Sequence, residues 1–196
     1  MSIISKNTVA LALSLTALLV GMSSFAANKP AHPATAATKL STLEGKFAFN
    51  LPKGYVARAL PPGDAKNGTA GATGTMYVNK DEKRVIIAAQ NALPNGLKAG
   101  DNDDGFLDSS VTGFVRQQSE ALPDFKQTNE HRMTIKGLGI REIDSTATMG
   151  GGSTLNTTFL SGSGNHMSVV QIVSRADDQA GHTALIKRII EGLNAR

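Results

Sequence analysis

The sequence predicts an α+β sandwich, one antiparallel β-sheet with a helix packed on each face. Three observations lead there. Between residues 125 and 174 four extended segments follow one another through short glycine-containing turns, and short connections join antiparallel neighbours. Two segments, near 104–122 and 178–193, carry apolar residues at the 3.6-residue spacing of a helix face. Residues 85–89 (VIIAA) are apolar without alternation, as in a central strand covered on both sides.

The N-terminus is expected to lie outside this fold. Lys6 gives a weakly basic start, residues 9–20 (VALALSLTALLV) carry no charge, and Ser24, Phe25 and Ala26 set small-x-small before Ala27. That order is a secretory signal, residues 1–26, cleaved after Ala26. The apolar run falls short of the about 20 residues that span a bilayer. The expected compartment is therefore a bacterial periplasm, with an uncleaved N-terminal anchor as the alternative. The chain has no cysteine, which removes lipid attachment after the apolar run, disulfides and thiol chemistry. Residues 27–42 are mostly Ala, Pro and Thr and read as a flexible tether. A single domain is expected over residues 43–196, a length that supports one hydrophobic core.

Within that domain, residues 46–51 (KFAFNL) alternate, placing Phe47, Phe49 and Leu51 on one face of a first strand that ends at Pro52. Residues 61–74 (PPGDAKNGTAGATG) are a loop. Strands at 75–79 and 84–90 flank a charged hairpin turn, residues 80–83 (KDEK). Acidic residues 101–104 precede a helix, where a helix N-terminus favours negative charge. Leu107, Val111, Phe114, Val115, Gln118 and Leu122 then form one stripe, with Gly113 as its weak point. Strands are expected at 125–136, 138–147, 153–160 and 166–174. A last helix is capped by Asp177 or Asp178, with Leu185, Ile189 and Leu193 on its inner stripe. The predicted order is β-β-β-α-β-β-β-β-α.

Charge excludes one class of partner. There are 20 Lys and Arg against 16 Asp and Glu. Loss of Lys6 with the signal leaves 19 against 16, a net of +3 spread along the chain. This is too weak and too scattered for a nucleic-acid surface, though compatible with peripheral association with an anionic inner membrane.

Few motifs carry chemistry. Residues 101–105 (DNDDG) fail as a calcium loop, because taking Gly105 as the sixth position puts Gly100 first and Val111 twelfth, without carboxylates. The glycine-rich residues 68–74 lack the Lys-Ser/Thr end of a phosphate loop. Ser163 between two glycines has Ser161 where a hydrolase elbow needs glycine. The histidines His32, His131, His166 and His182 fall on a tether, two strands and a helix start, with no carboxylate spacing that points to a metal. Asn67 and Asn156 open glycosylation-type triplets, which mean little in a bacterial host. No catalytic residue, cofactor or metal is expected. Asp104, His131, Ser163 and His166 are the polar residues whose substitution would test that.

Residues 171–179 (QIVSRADDQ), followed by Ile189, Ile190 and Leu193, together with residues 43–52 (LEGKFAFNLP), resemble the ends of the DcrB family of bacterial cell-envelope proteins. Arg116 to Gln118, Lys136-Gly137, Asp144-Ser145 and Gly164-Asn165 fall between them in the same order. The resemblance implies a PsbP-like fold and an envelope protein without enzymatic activity, linked to phage adsorption or uptake and to envelope maintenance. It departs in lacking a lipoprotein cysteine. On this reading the partners are other envelope proteins, met through exposed loops at Lys80, Lys83, Arg84, Ser163 and Asn165. The alternative is a periplasmic small-ligand carrier or weak hydrolase, which would show a pocket between sheet and helix.

Overall fold

The computed structural model describes residues 38–63 and 71–195. The proposed signal peptide, residues 27–37 of the tether and residues 64–70 of the 61–74 loop lie outside the described residues. The strands are β1 (Lys39–Thr42), β2 (Phe47–Asn50), β3 (Val56–Ala59), β4 (Thr73–Asn79), β5 (Arg84–Ala92), β6 (Lys126–Ile135), β7 (Leu138–Met149), β8 (Gly152–Ser163) and β9 (His166–Arg175). Two helices, α1 (Asp104–Ala121) and α2 (Gln179–Asn194), complete the set.

Seven strands form one sheet in the order β3-β4-β5-β9-β8-β7-β6, antiparallel at every pairing. The hairpin β4–β5 turns at residues 80–83, as the charged KDEK segment predicts, and Lys83 takes a positive φ of 51° there. The excursion α1–β6–β7–β8 returns through β9, which lies against β5 with Val85 opposite Val173 and Ala92 opposite His166.

Each helix covers one face. Ile87, Ala89, Ile143, Leu160, Met167 and Val169 point to α1 and pack on Val111 and Phe114. Ile86, Ala88, Phe159, Val170 and Ile172 point the other way, towards Leu185, Ile189 and Leu193 of α2. The apolar run of β5 thus splits by alternation between two cores, as its lack of polar residues requires. Gln118 lies on the buried stripe of α1 as expected, whereas Val115 is half-buried at the margin.

Gly162 on β8 lets α1 close onto the sheet, because a Cβ there would run into the Phe106 ring. Asp103 caps α1, its side chain accepting from the Phe106 amide at 3.0 Å.

Three segments differ from the sequence expectation. The first predicted strand, now β2, does not join the main sheet. It pairs with β1 as a two-stranded ribbon on the α2 face, where Phe47, Phe49 and Leu51 bury against the helix. The tether therefore ends sooner than residue 42. Leu40 is fully buried, Thr42 Oγ1 lies 2.7 Å from Ser168 Oγ, and the Leu43 amide donates to Gln90 Oε1. A single large apolar residue every few positions was too sparse a pattern to show this. The short edge strand β3 was also unforeseen; its exposed residues follow no apolar alternation. Finally, Asp178 stands at the start of α2 but makes no capping bond, because its carboxylate accepts from Arg84.

Two substitutions test this packing. Leu40→Ala should cost about 2–5 kcal/mol in urea unfolding, the usual loss for a buried large-to-small change; a loss near zero would return β1 to the tether. Phe114→Asp should cost several kcal/mol, since it buries an unpaired charge in the α1 core. An unchanged melting temperature would mean that this side chain does not face the sheet.

Candidate functional site

The ribbon and α2 together cover only part of their face. Towards β6 and β7 they leave a cleft of ≈ 720 Å³ between α2 and strands β6–β8. Leu155, Ile186 and Ile190 supply its apolar wall, and Glu142, Asp144, Thr157 and His182 its polar floor. The strand period explains the floor. Glu142 and Asp144 are two apart on β7, so both carboxyls point to the α2 side, while Arg141 and Ile143 point to α1. Thr157 stands directly opposite Asp144 on β8.

A chain of hydrogen bonds crosses the site. Thr157 Oγ1 donates to Asp144 Oδ1 at 2.6 Å and lies 2.9 Å from His182 Nε2. His182 Nδ1 lies 2.9 Å from Ser174 Oγ. A hydroxyl has one proton, and here it goes to the carboxylate, so Thr157 must accept from His182. This assigns the proton to Nε2 and leaves Nδ1 to accept from Ser174. Burial first, and then the charge of Arg84, hold the His182 pKa below the ordinary value despite opposing carboxylates. His182 is a neutral, fully bonded imidazole.

Glu142 is different. It is 7% exposed, and among the described residues no hydrogen bond or ion pair ties down its carboxyl. Desolvation pushes its pKa up, the charge of Asp144 adds to this, and His131 across the strand opposes it.

The residues singled out from sequence lie elsewhere and apart. Lys80 and Lys83 are exposed on the β4–β5 turn. Arg84 is not a free contact: its side chain pairs with Glu82 and Asp178, and Gly181 is needed beside it because a Cβ would meet the guanidinium. Ser163 and Asn165 sit on the β8–β9 turn at the other end of β5, roughly 26 Å away at strand rise. Ser163 donates to Asp101 at 2.6 Å and accepts from Lys46, and those bonds lower the Asp101 pKa, Lys46 first. The Asn165 side is pinned through its carbonyl, which accepts from the Leu93 amide. Two separated turns, one of them tied down, make no joint surface.

Asp104 is exposed and bound to Arg141, which lowers its pKa. His131 is exposed on β6, 2.7 Å from Asn129, while His166 begins β9 three strands away, so the two do not meet across the sheet. Asn156 is buried on β8 and cannot serve as a glycosylation acceptor. Among the described residues no group of three or more metal-ligating side chains converges. Glu142 and Thr157 carry no motif in the sequence, Asp144 enters there only through the resemblance and His182 only as a lone histidine. The one signal is the pair of acids, Glu142 and Asp144, two apart inside a strand.

The raised pKa of Glu142 gives a pH test. A carboxyl whose folded pKa lies above its unfolded value of 4.5 contributes stability below that value and loses it as pH rises through the folded pKa. At neutral pH the ionised group is thus a cost. Glu142→Gln should raise the melting temperature by a few degrees at about pH 7 and leave it unchanged at about pH 4, where both side chains are neutral. A lower melting temperature at neutral pH would show that the carboxylate is stabilised by a partner.

Comparison with known proteins bears on the fold. No family model matches the chain, and no curated protein does. Among solved structures, the solution structure of cyanobacterial PsbP (CyanoP) from Synechocystis sp. PCC 6803 is similar with a TM-score of 0.58 at 11% identity. The match covers 87% of this chain and 96% of that one. A protein of unknown function from Pseudomonas aeruginosa, PA94, aligns with a TM-score of 0.46 at 14% identity over 82% and 97% of the two chains. LpqN of Mycobacterium tuberculosis, described as involved in cell envelope biogenesis, aligns with 0.39 at 15% identity over 82% and 83%. The first of these carries the assignment: the chain has a PsbP-like α+β fold.

Proposed function

We propose that this chain is an exported, non-enzymatic protein of the cell envelope, of the DcrB type, that acts by holding a ligand in the cleft between α2 and strands β6–β8. The cleft carries this reading. Ligand sites are concave, mostly apolar and supplied with a few placed polar groups, within about 300–1,000 Å³, and this one has that size and lining. The sequence resemblance supports the envelope and the expected link to phage sensitivity or envelope upkeep. No described helix is long and apolar enough to cross a membrane.

The polar chain at the site favours binding over hydrolysis. A nucleophile must reach its substrate and give its proton to a base. Thr157 gives its proton to Asp144, away from His182. Ser174, whose hydroxyl faces His182 Nδ1, is 1% exposed and beyond the reach of a substrate. The same observations shift weight from contacts at the Lys80 and Asn165 turns to the cleft.

Complementation of a deletion strain separates these readings. Leu155→Trp fills the cleft from a half-buried strand position, and Lys80→Ala with Lys83→Ala blunts the hairpin turn. The folded tryptophan variant should fail to restore phage sensitivity or tolerance of membrane stress, while the lysine variant should restore it. Full complementation by the tryptophan variant would overturn the binding reading.

A further inference from the structure

Buried charge elsewhere in this protein is matched. Arg141, 1% exposed, lies 2.6 Å from Asp104 and 2.9 Å from Asp108. Arg84, its side chain 11% exposed, meets Glu82 and Asp178. The buried Arg141 and the half-buried Arg84 thus each have two carboxylates. Glu142 breaks the pattern, being the one acidic residue among the described ones that is buried. Its neighbour on the same strand face is Asp144, another acid, and neither has an ion-pair partner within 4.0 Å among the described residues. Withdrawing a carboxylate from most of its water without a counter-charge is costly, yet here Glu142 is buried beside the half-buried Asp144 on the floor of a cleft.

The charges around them offer no internal solution. Lys187 is the cation lining the cleft, and it sits on the exposed rim, 3.9 Å from Glu191. His182 is neutral and already bonded on both nitrogens. His131 is exposed across the strand from Glu142 and bonds Asn129. A metal ion would need more ligands than two carboxyls, and no third ligand converges among the described residues.

We infer that the cleft is built for a small organic cation, a primary ammonium or guanidinium on an apolar body, with the positive group between Glu142 and Asp144 and the body against Leu155, Ile186 and Ile190. This rests on the binding reading above and names the chemistry of the ligand. An ammonium brings three donors and a guanidinium five, with no acceptor. Two carboxylates, one with a single oxygen taken by Thr157, accept them without competition. Charge-assisted bonds of this kind are stronger than neutral ones, and the surrounding apolar wall excludes the water that would weaken them. The apolar wall sets the second requirement: an inorganic cation or a fully polar one leaves it wet.

The test uses three probes of one size, hexylammonium, 1-hexanol and hexanoate, titrated into the purified protein at neutral pH and followed by calorimetry and by amide shifts in β7 and β8. Hexylammonium should bind at least about tenfold tighter than hexanol, a difference of about 1.4 kcal/mol, with hexanoate weakest. Glu142→Gln should remove that preference, bringing hexylammonium down to the affinity of hexanol, and Leu155→Trp should abolish all three. If hexanol or hexanoate binds as tightly as hexylammonium, or Glu142→Gln keeps the preference, the cation is overturned while the binding cleft stands. If no probe binds and no amide of β7 or β8 moves, both readings fall.

Discussion

The whole architecture depends on a sheet whose central strands have no solvent face. β5, β9 and β8 are buried over most of both sides, and each side must find its own cover; β5 meets this with apolar residues in succession, whereas β9 and β8 mix apolar residues with buried Ser, Thr, Asn and Gln. The helix α1 covers one side alone. On the other side α2 is too narrow, and the β1–β2 ribbon completes the cover over β5 and β9 with Leu40, Phe47 and Phe49. That division of labour decides where the protein is open. Cover by ribbon and helix is complete towards β5 and incomplete towards β6 and β7, and the cleft lies at that margin.

Charge placement follows the same geometry. Arg141 points from β7 to the covered α1 side, where the first two turns of the helix bring Asp104 and Asp108 down onto it. Asp104, which suits the helix dipole in the first turn, thus also helps to neutralise a buried cation. Arg84 does comparable work at the start of α2, drawing Asp178 away from its capping role. Near it Tyr55, buried and with its hydroxyl unpartnered, has a pKa pushed up to about 12, burial being the main cause. Both arginines pin a helix terminus to the sheet. The acids Glu142 and Asp144 stand one residue to either side of Ile143 but face the other way, into the cleft, where the first turn of α2 brings them the neutral His182 and no arginine.

An unbroken apolar run made β5 legible and helical spacing made the stripe of α1 legible, because burial leaves a pattern in the sequence. The strands β6 to β9 were legible from the exposed turns between them, since charge and glycine mark where the chain reverses. The first strand was recognised and misplaced. Its alternation shows that one face is buried, but what buries it, α2 together with the face of a sheet it does not join, lies far along the chain, α2 about 140 residues further on. β1 left no period at all, with Leu40 as its one large apolar side chain.

What the sequence by itself determined is most of the inventory: both helices, every strand but β1 and β3, and the antiparallel order that short turns impose. Those are local properties, set by backbone sterics and by the spacing of apolar residues over a few positions. The site was decided only in three dimensions. Glu142, Asp144, Thr157 and His182 come from two strands and a helix, and nothing local distinguishes an acid on a covered strand from one on a solvated edge. Only the incomplete reach of α2 across the sheet turns two acids of one strand into the floor of a cleft, where loss of water gives their charge its consequence.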